Sequence, residues 1–270
     1  ISSELSENHR VQKLNVDVSI VNSNNELNID QFKAWQPEFK NAEFIMNKVF
    51  KVDREVQKMS KSKFNVVNPD EICDNYGADT LRLYEMFLGP IEQSKPWNTN
   101  GISGVYNFLN KVWRLFFNDN KLVISESEPD KESLKALHQT IKKINEDIES
   151  FSFNTCVSAL MILVNKLNET KCHSRRVLED LIVLLSPFAP HISEELWNVL
   201  GHDNSIVDEE YPVHNPKYLI ETEKKYPISL NGKLKYQIVL PLGISQEEVE
   251  NILKNDQSIK EIINDREIKK

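Results

Sequence analysis

The sequence predicts a mainly α protein: a bundle of about five helices, preceded by small β-containing pieces and followed by a small α+β unit. Three observations predict this. Apolar residues recur at helical spacings of three and four through the middle of the chain. Near the start, the alternating runs Val16/Val18/Ile20 and Phe50/Val52 follow the strand period, with turn-rich residues 22–25 between them. Near the end, Asn231-Gly232 joins two alternating runs, a strong hairpin signal because both turn residues must tolerate positive φ.

Taken in order, residues 11–56 read as short strands. The Lys/Ser-rich residues 58–63 lack apolar periodicity and read as an exposed, mobile loop. Asn68 then caps and Pro69 opens a helix that Gly77 closes, and Asp79 is expected to cap a second helix reaching Leu88 before Gly89-Pro90. Val105, Phe108, Leu109, Val112, Trp113 and Phe116 share one helical face, as do Leu134, Leu137, Ile141, Ile144 and Ile148. Helices follow over residues 153–167 and 177–185, the latter stopped by Ser186-Pro187, and Pro190 opens another to Leu200. The connections are short or polar, so neighbouring helices should pack antiparallel. Residues 226–240 form the predicted hairpin, with helices near residues 246–254 and 258–264.

The chain has 270 residues, 40% of them apolar, enough for about two domains with real cores. Disorder and a collagen-like chain are excluded. A formal charge of -8 argues against a protein whose whole surface binds nucleic acid and restricts that role to local basic patches. Cys73, Cys156 and Cys172 have no Cys-x-x-Cys spacing, so neither a disulfide framework nor a zinc ribbon is expected, and a reducing cytoplasm fits best. The longest nearly apolar run, residues 157–164, is far short of the roughly 20 residues of a membrane span, so no membrane is expected as a partner. The Ile start and the Lys269-Lys270 end, without a further strand, suggest a fragment cut at both ends.

Common catalytic signatures are mostly missing. No Gly-x-Gly-x-x-Gly and no Walker loop is found among the seven glycines. Gly101-Ile102-Ser103-Gly104 is read as a helix entry rather than an RNA clamp. His191 and Glu195, four apart on a helix, lack a third metal ligand, and the expectation is a helix start in which Glu194 and Glu195 complement the dipole while Ile192, Leu196 and Trp197 pack. No metal site is predicted, and His138 and His173 are read as isolated among solvated residues. What remains is Lys58-Met59-Ser60-Lys61-Ser62-Lys63: cations and hydroxyls in a compact loop, suited to polyphosphate oxygens, although such a run is also an ordinary solvated loop.

Lys58-Met59-Ser60-Lys61-Ser62 resembles, letter for letter, the second signature of class I aminoacyl-tRNA synthetases. Asn68-Pro69-Asp70 and Tyr76-Gly77-Ala78-Asp79-Thr80-Leu81-Arg82-Leu83 look like the stem-contact helices that trail this loop in the leucine, isoleucine and valine branch. Residues 108–113 and 187–197 look like that branch's helical anticodon-binding domain. Within the branch the chain is most similar to the bacterial leucyl-tRNA synthetase family, because Asn231-Gly232-Lys233 with its strand and helix resembles that family's small C-terminal domain. Residues 16–44 look like part of the leucine-specific insertion. The family's first signature, His-x-Gly-His, is absent, as are most of the nucleotide-binding fold and the editing domain.

The resemblance implies a C-terminal part of the enzyme: residues 1–66 end the catalytic region and carry the signature loop, 67–103 the stem-contact helices, 104–222 the anticodon-binding-type bundle, and 223–270 a truncated α+β domain. The parent activity implied is activation of leucine by ATP and its transfer to tRNA(Leu). Lys61 matches the lysine that binds ATP and stabilises departing pyrophosphate, with Lys58 assisting. Ser60 and Ser62 supply hydrogen bonds, and Met59 holds the loop against the core. Mg2+ accompanies ATP as part of the substrate. This part alone is expected to be inactive, monomeric and cytoplasmic. Lys111, Arg114, Lys142, Lys143, Lys233 and Lys235 are candidates for tRNA phosphate contacts and equally for ordinary surface residues. Alternatives are a valyl- or isoleucyl-tRNA synthetase fragment, a stand-alone tRNA-binding module, or a helical scaffold, which leaves the signature loop unexplained.

Overall fold

The computed structural model describes residues 1–8, 10–220, 223–230 and 233–255. The chain divides into two compact units, Ile1–Asn110 and Lys111–Lys270. The division falls inside the helix α4, Thr99–Phe116.

The first unit opens with a small layer built from turns and isolated bridges. The strands expected around residues 16–20 and 50–52 are not formed as strands. Val18–Ile20 is a 3-10 turn, and only the bridges Val21↔Leu27 and Glu26↔Lys51 are antiparallel pairs. The alternating pattern instead feeds a core of Ile20, Leu27 and Phe32, with Val16, Trp35, Phe44, Phe50 and Val52 packed around it. Phe32 comes from a helix the alternating pattern did not announce, α1, Ile29–Trp35, capped by Asn28, whose side chain accepts from Gln31 N at 3.1 Å. Seven residues, barely two turns, are too short for a helical period to be read in advance.

After the Lys/Ser loop come α2, Pro69–Tyr76, and α3, Ala78–Phe87. The Asn68 cap, Pro69 start and Gly77 stop are as expected, with Gly77 at φ 87°, a conformation that glycine adopts without penalty. Asp79 does not cap α3. Gly77 holds that position, and Asp79 lies within the first turn, 8% exposed, where its charge still complements the helix dipole.

Ile102, Val105, Phe108, Leu109, Val112 and Phe116 are buried along α4, whereas Trp113 is 36% exposed at the edge of the stripe and Leu115, 1% exposed, takes the inward place. Gly101-Ile102-Ser103-Gly104 lies inside α4 near its start. A two-residue ribbon follows, β1, Phe117–Asn118, with β2, Lys121–Leu122.

The second unit is dominated by α5, Lys131–Glu149; α6, Phe153–Thr170; α7, Arg175–Leu185; and α8, Pro190–Val199. Their inward faces match the periodic residues of the sequence: Leu134, Leu137, Ile141 and Ile144 on α5 are buried, with Ile148 half-buried at its end. α5 packs on α6 and α7, and α7 packs on α8. Beyond α8, residues 201–220 cross the bundle surface, with the turn Pro216–Leu219 against α5. A hairpin follows, β3, Glu223–Leu230, with β4, Lys233–Pro241, then α9, Gln246–Asn255. Asn231-Gly232 and the helix expected over 258–264 lie outside the described residues.

Candidate functional site

The signature loop is shaped by the residues that follow it. Lys61–Lys63 is a single 3-10 turn, and Phe64 N donates to Lys61 O at 3.2 Å. Phe64 sits at φ 54°, the left-handed region that costs a bulky residue about 1–2 kcal/mol. Asn65 then closes the loop with its carboxamide. Its Oδ1 accepts from Ser60 N at 2.8 Å and its Nδ2 makes a longer bond, 3.4 Å, to Lys58 O. Ser60 Oγ and Ser62 Oγ lie 3.3 Å apart.

This arrangement leaves Lys58 and Lys61 exposed, and neither ammonium forms an ion pair among the described residues. Two cations and two hydroxyls are thereby gathered on a loop whose backbone is pinned from one side, suited to a polyphosphate. Met59 does not hold the loop against the core as expected: it is 43% exposed. The apolar anchor is Phe64, whose ring meets Trp35 edge-on with centroids 4.6 Å apart and an interplanar angle of 86°. Neither Phe64 nor Asn65 was singled out in the sequence. The available signal was Asn65 itself, since Asn side chains readily bond backbone groups of nearby turns.

In the second unit the basic candidates differ in what they do. Lys143 Nζ lies 2.7 Å from Asp147 Oδ1, a bond that holds its ammonium above the usual lysine range. Lys142 makes a long exposed pair with Glu146 at 3.9 Å. Lys111 Nζ donates to Asn165 Oδ1 at 2.8 Å. Lys233 and Lys235 lie in β4, their side chains outside the described residues. Arg114 has a different setting. It lines a cleft of about 290 Å³ together with Phe117, Asn118, Asn168, Lys171 and His173.

The residues lining this cleft include no acid. His173 Nδ1 lies 2.8 Å from Leu115 O, and because a carbonyl only accepts, Nδ1 is the donor in this contact. His173 is therefore half-buried and bonded, not isolated among solvated residues. Next to the cleft, Trp113 stacks on Phe117 at 4.6 Å and 18°, presenting an aromatic platform beside cationic groups. Such a combination suits nucleic-acid phosphate and base faces.

Neither His138 nor His191 lines this cleft. His138 is 6% exposed and stacked on Tyr218 at 4.6 Å, a correction to its reading as solvated. His191 opens α8, where Leu196 and Trp197 are buried, and no group of three metal-ligating side chains occurs among the described residues. Glu194, rather than Glu195, takes a bonding role there, its Oε2 accepting from Ser205 Oγ at 3.0 Å and Ile206 N at 3.1 Å.

Comparison with known proteins covers the signature loop and, of the residues lining the cleft, Asn168, Lys171 and His173. The family model described as "tRNA synthetases class I (I, L, M and V)" matches residues 35–95, and that described as "Anticodon-binding domain of tRNA ligase" matches residues 130–260. The leucine-tRNA ligase of Flavobacterium johnsoniae is 56% identical over 259 residues, 95% of this chain and 27% of that protein. That of Parabacteroides distasonis is 52% identical over 272 residues, 100% of this chain and 29% of that protein. A crystal structure of an Agrobacterium radiobacter LeuRS, in ternary complex with tRNA and LeuAMS, superposes with a TM-score of 0.56 at 28% identity, covering 79% of this chain and 30% of that one. The chain thus spans little more than a quarter of the length of the curated relatives it matches. These relatives favour the leucine reading over the valine and isoleucine alternatives, and the chain belongs to the leucyl-tRNA synthetase family of class I aminoacyl-tRNA synthetases.

Proposed function

We propose that this chain is the C-terminal part of a leucine-tRNA ligase, which activates leucine with ATP and transfers it to tRNA(Leu). The observation that carries the reading is the signature Lys58-Met59-Ser60-Lys61-Ser62, presented with its cations unpaired inside the stretch that the class I model matches. Residues 1–66 then close the catalytic region, 67–103 supply stem-contact helices, 104–222 the tRNA-binding bundle, and 223–270 a small α+β domain. The whole protein acts as a cytoplasmic monomer in this reading. The chain alone does not aminoacylate.

In activation, the leucine carboxylate attacks the α-phosphorus of ATP and pyrophosphate leaves. Negative charge grows on the leaving oxygens, and cations placed there in advance lower the barrier. Lys61 meets that charge and Lys58 supports it, while Ser60 and Ser62 donate to phosphate oxygens. Mg2+ enters with ATP as part of the substrate, bound mainly by phosphate and water. Arg114, with Lys171 and His173 beside it, offers phosphate contacts for tRNA, and Lys111 and Lys142 add charge along the same unit. Lys143 is engaged with Asp147, and Lys233 and Lys235 remain candidates on β4.

The test is leucine-dependent ATP-pyrophosphate exchange by the full-length protein. Lys61→Ala is expected to lower the exchange rate by about a hundredfold or more, as loss of a charge-stabilising donor does, while leaving leucine binding nearly intact. An unchanged exchange rate removes Lys61 from this role.

A further inference from the structure

The loop that carries Lys61 has little apolar anchorage of its own, yet the residue immediately after it is bound on three sides. The Phe64 ring meets Trp35 edge-on at 4.6 Å. Its carbonyl accepts from Val18 N at 3.0 Å. Its own N–H returns to Lys61 O at 3.2 Å, closing the turn. The backbone at Phe64 is left-handed, φ 54°, a conformation that bulky side chains avoid and that persists only where surrounding contacts impose it.

Trp35 is itself fixed. It ends α1, stacks on Phe39 at 5.8 Å and lies 6.1 Å from Phe32 at the centre of the small core. A path of packed rings therefore runs from the Ile20/Leu27/Phe32 core to the residue that turns the chain out of the signature loop. Asn65, next along, clasps Ser60 N and Lys58 O, so the direction of the backbone at Phe64 decides where that clasp sits.

We propose that Phe64, clamped on Trp35, is the positioning residue that fixes the signature loop and sets the reach of Lys61 toward the ATP phosphates. The 16–52 layer then serves as the platform of the loop. This rests on reading residues 58–62 as the ATP loop, and the test separates the two ideas. Positioning acts on the reacting phosphates rather than on leucine, so its signature is a change in exchange rate and in KM for ATP with KM for leucine unmoved.

The variants are made in the full-length protein. Phe64→Gly keeps the left-handed backbone accessible to the chain and removes the whole side chain, ring included. Trp35→Leu removes its partner, and Phe64→Tyr keeps the ring contact. Phe64→Gly and Trp35→Leu are each expected to lower exchange by roughly three- to tenfold, the worth of one aromatic contact converted to rate, with KM for leucine unchanged. The double variant should be little worse than either single one, because both remove the same contact. Phe64→Tyr should retain the parent rate, and the unchanged KM for leucine in Phe64→Gly and Trp35→Leu excludes simple misfolding as the cause. Full activity of Phe64→Gly in a protein that Lys61→Ala disables overturns the proposal alone. Additive losses in the double variant also overturn it. An inert Lys61→Ala overturns the ATP-loop reading, and the proposal with it.

Discussion

Thr155 Oγ1 donates to Asp147 Oδ2 at 2.6 Å, joining the last turn of α5 to the first turn of α6. The same Asp147 receives Lys143 Nζ at 2.7 Å on its other oxygen, and its backbone carbonyl accepts from Ser152 N at 2.8 Å. Its side chain is 9% exposed. One carboxylate thus organises the tight turn between α5 and α6, a place where Phe151 adopts φ 56°.

Removing that carboxylate leaves the half-buried Thr155 hydroxyl with only Ser152 O, 2.8 Å away, as its acceptor. Asp147→Ala is expected to lower stability by about 1.5–2 kcal/mol, the worth of a lost charged hydrogen bond whose donor keeps a second acceptor. Thr155→Val, which removes the donor and fills its place, should cost less. Urea denaturation followed by circular dichroism measures both. Equal losses for the two variants count against Asp147 as the organising member. Lys143 is the solvent-exposed partner, so Lys143→Met should leave the midpoint nearly unchanged.

Asp180 on α7 gives a pH dependence of definite sign. Burial pushes its carboxyl up to about 6, against the pull of neighbouring Arg176 and with the help of Glu179. The native state therefore holds this proton more tightly than the unfolded chain. Stability falls as pH rises from the unfolded value of 3.8 to about 6, and is level above. Asp180→Asn should raise stability at pH 7 by about 1–2 kcal/mol, a figure reduced for partial exposure, and give almost no gain near pH 4. Thermal melts at the two pH values test this. A gain of the same size at both assigns the effect to packing rather than to charge.

His138 has the opposite sign. Burial, with the charges of Arg176 and His214 nearby, holds its imidazole below the usual 6.5. Its Nδ1 accepts the backbone N–H of Asn215 at 3.2 Å, and its ring stacks nearly parallel on Tyr218, 3° between planes. The stabilisation is complete above 6.5 and is lost as pH falls through the lowered native value. Protonated Nδ1 has no lone pair for Asn215, so acid should loosen residues 214–219 from α5 before the bundle melts. Amide hydrogen exchange of Asn215 should show its protection factor dropping between pH 7 and pH 5. A protection factor constant over that range dismisses His138 as the latch. The contributions of Asp180 and His138 oppose each other on acidification, so neither is visible in the parent protein without its variant.

What the sequence made legible was local. Asn68, Pro69 and Gly77 delimit α2 because capping and left-handed stops are decided within a few residues. The α5 to α8 stripes were legible because one period repeats over many turns. What escaped depended on distant partners. Val16, Val18 and Ile20 alternate as a strand would, but the chain pairs them only through bridges and buries Ile20 against Phe32 of a helix too short to announce itself. His138 reads as solvated in the sequence because Asn215 and Tyr218, which cover it, lie some eighty residues along the chain. The signature loop was readable letter by letter, whereas its anchors, Phe64 and Asn65, stand just outside the motif, and their partners Trp35 and Ser60 are set by folding.

The cleft lined by Arg114, Lys171 and His173 yields the last prediction. If it contacts tRNA phosphates, each contact releases counterions, and the logarithm of affinity falls with the logarithm of salt by about 0.7–0.9 per phosphate. Arg114→Gln/Lys171→Gln in the full-length protein should therefore flatten the salt slope by about one to two and weaken binding to all tRNAs alike. Trp113→Ala should act differently, weakening binding at every salt concentration without changing the slope, because stacking displaces no ions. Filter binding of tRNA(Leu) from low to moderate salt distinguishes these two behaviours. An unchanged slope in the double variant would mean that the phosphate contacts lie elsewhere on the unit, with Lys111 and Lys142 the next to replace. A slope change in Trp113→Ala would instead show that the ring orders a neighbouring cation, and Arg114, one residue along α4, is the nearest in sequence.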